Sequence, residues 1–188
     1  MLVYHAGYLA IEKPDVYYGR KNADFGQGFY VTPDGGFARR WARQKRCLDT
    51  VLNVYDLDTD GLSQHAFRRG TEWAGYILQN RGNGHDSLQG TDIITGPIAC
   101  DTIYDSLGIA SGGFLGQEGI LTVFTAGREY TQIALKTPEA AEHLKFLRSE
   151  IIDPREVARL RAVVAEEEKA YQSAVAELLI KTLPGSDR

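Results

Sequence analysis

Three short stretches of this chain hold side chains that could do chemistry. His5 stands in LVYHAG, flanked by Tyr4 and by the small pair Ala6-Gly7. An imidazole there can give or accept a hydrogen bond near neutral pH. In DFGQGFY (24–30) two glycines precede an aromatic pair at the entry to a strand. Glycines allow a backbone to approach a ligand closely, and Tyr30 offers a flat ring face and a hydroxyl. Gln132 is a polar residue in the middle of EYTQIALKT, on the same strand face as Tyr130. Each also has an ordinary structural reading: a satisfied core histidine, a turn before a strand, a solvent-facing glutamine. The remaining histidines, 65, 85 and 143, are scattered, and there is no G-x-G-x-x-G, Walker A, nucleophile elbow or zinc-type cluster. Asp56, Asp58 and Asp60 alternate at a strand end and read as solvated acids rather than as a cation site.

The elements that must position these groups follow from periodicity and punctuation. LVYH, GFYVT (28–32) and VLNVYDLD (51–58) are rich in strand formers. Phe37, Ala38, Trp41, Ala42 and Leu48 recur at helical spacing and predict an amphipathic helix over about 37–49, with Arg39, Arg40, Arg43 and Arg46 on its wet face. TEWAGYILQNR (71–81) reads as a helix with Thr71 as its cap, ended by Gly82 to Gly84. DIITGPIA (92–99) is an apolar strand whose Gly96-Pro97 marks an edge, a bulge or a strand end. Residues 108–119 read as a loop, and GILTVFTAG (119–127) is open between strand and short helix. REYTQIALKT (128–137) alternates as a strand, and Pro138 opens a helix to about His143. From Pro154 to Leu183 there is no glycine or internal proline, and Val157, Leu160, Val164, Tyr171, Ala174, Val175 and Leu178 form one stripe on a helix of seven or eight turns. That stripe either packs back on the body, the preferred reading, or serves a partner.

The pattern is α+β rather than strict βαβ alternation, divided here into a body over residues 1–150 and a helical extension over 151–188. The chain has 188 residues, 43% hydrophobic and 24% charged, which excludes a disordered or collagen-like polymer. Its formal net charge is −4, which excludes a strongly basic nucleic-acid-binding domain. Residues 1–50 carry eight basic and five acidic side chains, leaving room for a local anion site. No apolar run is long enough to span a membrane, and no signal peptide is visible. Cys47 and Cys100 have neither disulfide-framework nor metal spacing, so a reducing cytoplasm is the expected compartment.

The order YHAG, DFGQGFYVT, ITGPIACDTIYD, EYTQIALKTPEA resembles a bacterial family of uncharacterised proteins known as DUF3990, grouped with the ADP-ribosyltransferases. Its members typically show Y-H-G, then K-N-x-D-F-G-x-G-F-Y-x-T, then G-P-x-A-x-D, then a late Q-x-x-x-x-T. The resemblance covers about residues 2–147, and its specific part is KNADFGQGFYVT, residues 21–32. It implies an ADP-ribosyltransferase-like pair of split antiparallel β-sheets with surrounding helices, with the long C-terminal helix outside the resemblance, and NAD bound between the sheets as substrate.

The resemblance also implies roles. His5 maps to a histidine that hydrogen-bonds a ribose hydroxyl. The backbone of Ala6, where glycine is usual, would hold the nicotinamide carboxamide. Gly7 stands where many relatives carry a serine or threonine. The Tyr30 ring would stack on nicotinamide. Gln132 matches the position where superfamily enzymes place a glutamate that binds a ribose hydroxyl and stabilises an oxocarbenium-like transition state. A carboxamide accepts the same bond but lacks the charge, and losing one preorganised electrostatic partner typically costs about 3–4 kcal/mol, or 10²–10³ in rate. Glu129 and Glu118 are candidates to restore it, although Glu129 should face away from Gln132. Phe25 and Gly28 complete the expected cofactor-binding set, with Arg20 and the 39–46 arginines as pyrophosphate candidates; for the latter a solvated helix face is the preferred reading. Asp101 is expected to cap a helix.

The function implied is a mono-ADP-ribosyltransferase-like enzyme acting on a protein or nucleic-acid acceptor. It is the toxic half of a toxin–antitoxin pair if it follows many family members, with a small antitoxin protein as partner. The alternatives are an NAD glycohydrolase and a non-catalytic NAD-binding or interaction module acting through the C-terminal helix.

Overall fold

Apolar alternation and near-continuous apolar runs build two sheets that meet at one point. The computed structural model describes residues 1–182 except 43, 44, 46, 83, 105, 107 and 114. One sheet has the order β1–β3–β7, formed by Leu2–Gly7, Val51–Leu57 and Leu144–Ile151, all antiparallel. The other has the order β2–β6–β5–β4, from Phe29–Val31, Thr131–Leu135, Ile93–Pro97 and Gln64–Ala66. Its β4–β5 pair is parallel, a departure from the purely antiparallel sheets expected. β5 is interior, so Gly96-Pro97 marks the strand's end and not an edge. Tyr4 and Thr32 exchange both backbone hydrogen bonds, each 2.9 Å, and tie β1 to β2 where the sheets diverge.

The apolar core fills three spaces. Val3, Phe29, Val31, Tyr55, Ile133 and Leu135 pack between the two sheets. Phe25, Trp73, Ile77, Ile94, Val123 and Phe124 form a second cluster with the helices. Ala38, Leu52, Ile152 and Val157 make a third, smaller one. The helices are α1 (Gly35–Trp41), α2 (Thr71–Arg81), α3 (Cys100–Ile103), α4 (Gly108–Ser111), α5 (Gln117–Thr125), α6 (Pro138–Glu142) and α7 (Pro154–Thr182). Thr137 caps α6 by accepting from the Ala140 N–H, with Pro138 in the first turn where its missing donor costs nothing.

Several expectations change. α1 stops at Trp41, because Ala42 turns to an extended ψ of 136°. Arg39 and Arg40 are partly buried and paired with carboxylates, in place of a fully solvated helix face. Arg39 bonds Glu150 (2.5 Å) and Glu156 (3.2 Å), and Arg40 bonds Glu167 (2.7 Å) and lies over the Tyr130 ring. Arg43 and Arg46 lie outside the described residues. The cap of α2 is Gly70, with no side-chain bond, in place of Thr71. The 119–127 segment is helical within α5, and residues 108–111 form the short α4. β4 and β7 have no counterpart in the sequence reading, and the helix expected to follow Asp101 is α3, which begins at Cys100 and contains Asp101.

α7 packs on the body. Val157, Val164, Tyr171 and Val175 are buried. The Tyr171 ring packs against Tyr104 at 4.7 Å, and its hydroxyl shares a 2.9 Å hydrogen bond with Ser106. No helix of the described residues is long and apolar enough to cross a membrane.

Candidate functional site

At the split between the sheets lies a cavity of about 220 Å³. β1 lines it with Tyr4, His5 and Ala6, β2 with Tyr30 and Val31, and β6 with Gln132. Phe37, Ala38 and Trp41 of α1 form one wall, and Arg20, Asp24 and Thr102 complete the polar lining. Five of the sequence candidates, His5, Ala6, Arg20, Tyr30 and Gln132, therefore share one cavity although up to 127 positions separate them in sequence.

His5 is held by a short contact. Its Nδ1 lies 2.8 Å from the Tyr30 carbonyl oxygen, which cannot donate, so Nδ1 carries the proton and Nε2 is left as an acceptor. The ring stacks on Phe29 with centroids 4.7 Å apart. Burial pulls its pKa below 6.5, against the effect of the Tyr30 bond, so the ring is neutral at pH 7. Gly7 does not line the cavity. A Cβ there would stand 3.3 Å from His5 Nε2, so the glycine leaves that nitrogen room.

Tyr30 uses its hydroxyl internally. It donates to the Gly26 carbonyl (2.7 Å) and accepts from the Phe25 N–H (3.0 Å). Burial first, and the Asp24 charge next, push the phenol well above its ordinary pKa. The hydroxyl is a strut of the 24–30 turn and not an acid or base, so what Tyr30 brings to the cavity is its ring. Gly26 has φ +77°, a left-handed conformation that favours glycine. Beside it, the buried Lys136 ammonium bonds the Phe25 carbonyl (2.5 Å) and Asp86, which also accepts from Tyr76 (2.7 Å).

Phe25 and Gly28 are absent from the lining. Phe25 is fully buried among Phe67, Tyr76 and Gly96. A Cβ on Gly28 would stand 2.7 Å from the Leu135 carbonyl, so this glycine admits β6 and not a ligand. Glu129 is exposed and paired with Arg69 at 3.2 Å. Glu118 is exposed in the first turn of α5. Neither lines the cavity. Asp101 is not a cap: it is fully buried inside α3, whose cap is Ala99.

The sequence reading passed over Asp24, Thr102 and Trp41. Asp24 lies inside DFGQGFY, which drew attention through its glycines and aromatics. It is 6% exposed and belongs to a buried network. Arg81 from α2 donates to Asp24 Oδ1 through Nε (2.9 Å) and Nη2 (2.8 Å), and to Asp101 through Nη1 (2.7 Å) and Nη2 (3.1 Å). Burial works against the Arg81 charge, but the two carboxylates outweigh it and keep the guanidinium protonated. Burial pushes the Asp101 carboxyl up. The Thr102 hydroxyl lies 3.2 Å from both Asp24 oxygens, and Gln132 Nε2 lies 3.5 Å from Oδ2, a long contact.

The cavity thus combines a neutral imidazole acceptor, an aromatic face, a carboxamide, a carboxylate and, at Arg20, a cation. A family model described as "Protein of unknown function (DUF3990)" matches residues 1–146, and the chain belongs to that family. No curated protein and no solved structure matches it.

Proposed function

We propose that this cavity binds the nicotinamide end of NAD and that the protein is an ADP-ribosyltransferase, releasing nicotinamide and passing ADP-ribose to a protein or nucleic-acid acceptor. The observation that carries this reading is the convergence of His5, Tyr30 and Gln132, from three strands in two sheets, on one cavity where the sheets part. Its volume, about 220 Å³, lies below the roughly 300–1,000 Å³ of sites that enclose a drug-sized ligand. It suits one ring with its sugar, with the pyrophosphate outside beside Arg20. In this reading His5 Nε2 accepts a ribose hydroxyl, the Ala6 backbone meets the carboxamide, the Tyr30 ring stacks on the pyridinium, and the Gln132 carboxamide accepts a hydroxyl of the nicotinamide ribose. The bond from ribose C1′ to the pyridinium nitrogen breaks with its electron pair going to the ring. Neutral nicotinamide leaves, and the positive charge passes to the ribose. A nucleophile then bonds C1′ and gives up its proton. The cavity's work is orientation, exclusion of water and placement of fixed dipoles.

The reading follows the family resemblance in adding a small antitoxin protein as partner. The alternative in which α7 acts as a docking helix gains no support from its apolar stripe, because Val157, Val164, Tyr171 and Val175 are buried in the chain's own body. The test is incubation of the purified protein with NAD labelled in the adenylate half, following released nicotinamide, free ADP-ribose and label on macromolecules. Nicotinamide release that falls in His5→Ala and Gln132→Ala supports the reading. Free ADP-ribose without transferred label would assign hydrolysis. No release, with no calorimetric NAD binding, would overturn it. Tyr30→Phe, which keeps the ring, is expected to retain affinity that Tyr30→Ala loses. It should also lower stability by about 1–3 kcal/mol, because the Phe25 N–H and Gly26 carbonyl lose their partner.

A further inference from the structure

We infer that Asp24 is the catalytic carboxylate of this cleft, supplying the negative charge that Gln132 lacks; the inference rests on the NAD reading above. Two features set Asp24 apart from an ordinary buried anchor. The first is the unequal use of its oxygens. Oδ1 takes two guanidinium bonds at 2.8 and 2.9 Å, whereas among the described residues Oδ2 has only the Thr102 hydroxyl, shared with Oδ1, at 3.2 Å and the Gln132 amide at 3.5 Å. A carboxylate oxygen can accept about two full hydrogen bonds, and both contacts here are weak, one shared and one long. Oδ2 therefore has capacity left, on a residue that lines the cavity next to the carboxamide expected to meet the ribose.

The second is the division of charge. Arg81 serves Asp24 and Asp101 together, through five donated bonds that include Thr102. One guanidinium is divided between the two carboxyl groups, so it does not fully offset the charge on Asp24, and burial keeps that charge from being screened by water. The open end of that charge is Asp24 Oδ2, because Asp101 is fully buried and away from the lining. When the glycosidic bond breaks and charge moves from the pyridinium to the ribose, Oδ2 is placed to accept a ribose hydroxyl and face the cation. The position on β6 can then be neutral, because the carboxylate has moved to the loop before β2. A glutamate in place of Gln132 would put two carboxylates within about 3.5 Å, and one of them would hold a proton.

Nicotinamide release is measured in the full-length protein and its variants, with thermal unfolding alongside. Asp24→Asn is expected to lower kcat by about 10²–10³, with KM changed by less than about fivefold, and the double variant Asp24→Asn, Gln132→Glu to recover at least about tenfold by returning a charge to the cleft. A merely structural Asp24 would show a lowered Tm and no rescue. Wild-type kcat in a folded Asp24→Asn protein would overturn the inference and leave the NAD reading intact. Failure of the wild type to bind or cleave NAD would overturn both. Gln132→Glu alone decides the matter even where Asp24→Asn does not fold. If Asp24 already supplies the charge, turnover at pH 7 falls, because the shared proton occupies Oδ2, and it recovers as pH rises. A gain of about threefold or more would show that the cleft lacked a carboxylate and would overturn the assignment.

Discussion

His5 shows how one bond can settle a side chain's chemistry. The Tyr30 carbonyl fixes the Nδ1–H tautomer, and burial lowers the pKa below 6.5. Below 6.5 the unfolded chain therefore binds more protons at this site than the folded one. The folded state loses stability as pH falls through that value, until its own imidazole is protonated, and gains nothing above it. Urea midpoints measured from about pH 5 to 8 should fall on the acid side in the wild type and fall less steeply in His5→Gln. NAD binding should weaken only at the lower end of that range, where the folded protein's own imidazole is protonated and the Nε2 acceptor is lost. Asp24 and Gly28 carry the complementary lesson. Both lie in DFGQGFY, yet the glycine chosen for ligand approach serves the β2–β6 contact, and the acid beside it faces the cavity. Which member of a motif meets a ligand depends on the strand opposite, which local sequence does not contain.

Among the elements, α1 forms one wall of the cavity and α7 holds α1 in place. α1 is short, and it is held by Arg40 to Glu167 and by Arg39 to Glu150 and Glu156. Phe37 stacks on Tyr130 at 4.2 Å, which fixes the face that carries Ala38 and Trp41 to the cavity. Periodicity predicted the α7 stripe well because a 3.6-residue repeat needs no knowledge of its partner. It predicted α1 too long, because an apolar Leu48 continues the helical spacing while the backbone has already turned at Ala42. Tyr171 is the main anchor of α7. Tyr171→Ala should cost about 3–5 kcal/mol, read as a fall in Tm of about 6–20 °C for a domain of this size.

For the whole molecule, burial sorts chemically identical groups into reactive and inert ones. Cys47 is exposed, while Cys100 is fully buried and its thiol is pushed up to about 11, chiefly by burial. Iodoacetamide at neutral pH should label Cys47 alone in the folded protein and both thiols in urea, as intact mass would show. Much of the fold was legible because it rests on local rules: strands β1, β2 and β3 from their strand-forming residues, β6 from alternation, α2 and α6 from punctuation, α7 from its stripe. β4 and β7 were not, because three-residue and solvent-facing strands have no apolar signature and exist only through pairing with β5 and β3. The α+β composition, the family motif and the identities of the imidazole, phenol and carboxamide are legible in the chain alone, because each is carried within a few neighbouring residues. It took the folded arrangement to show that those groups share one cavity, that the Tyr30 hydroxyl is spent on the backbone, that Arg39 and Arg40 hold α1 to α7 and β7, and that Asp24 lines the cleft with one oxygen lightly used. These depend on which strands hydrogen-bond and which charges are left without water, and contacts between residues a hundred positions apart are written in no single stretch of chain.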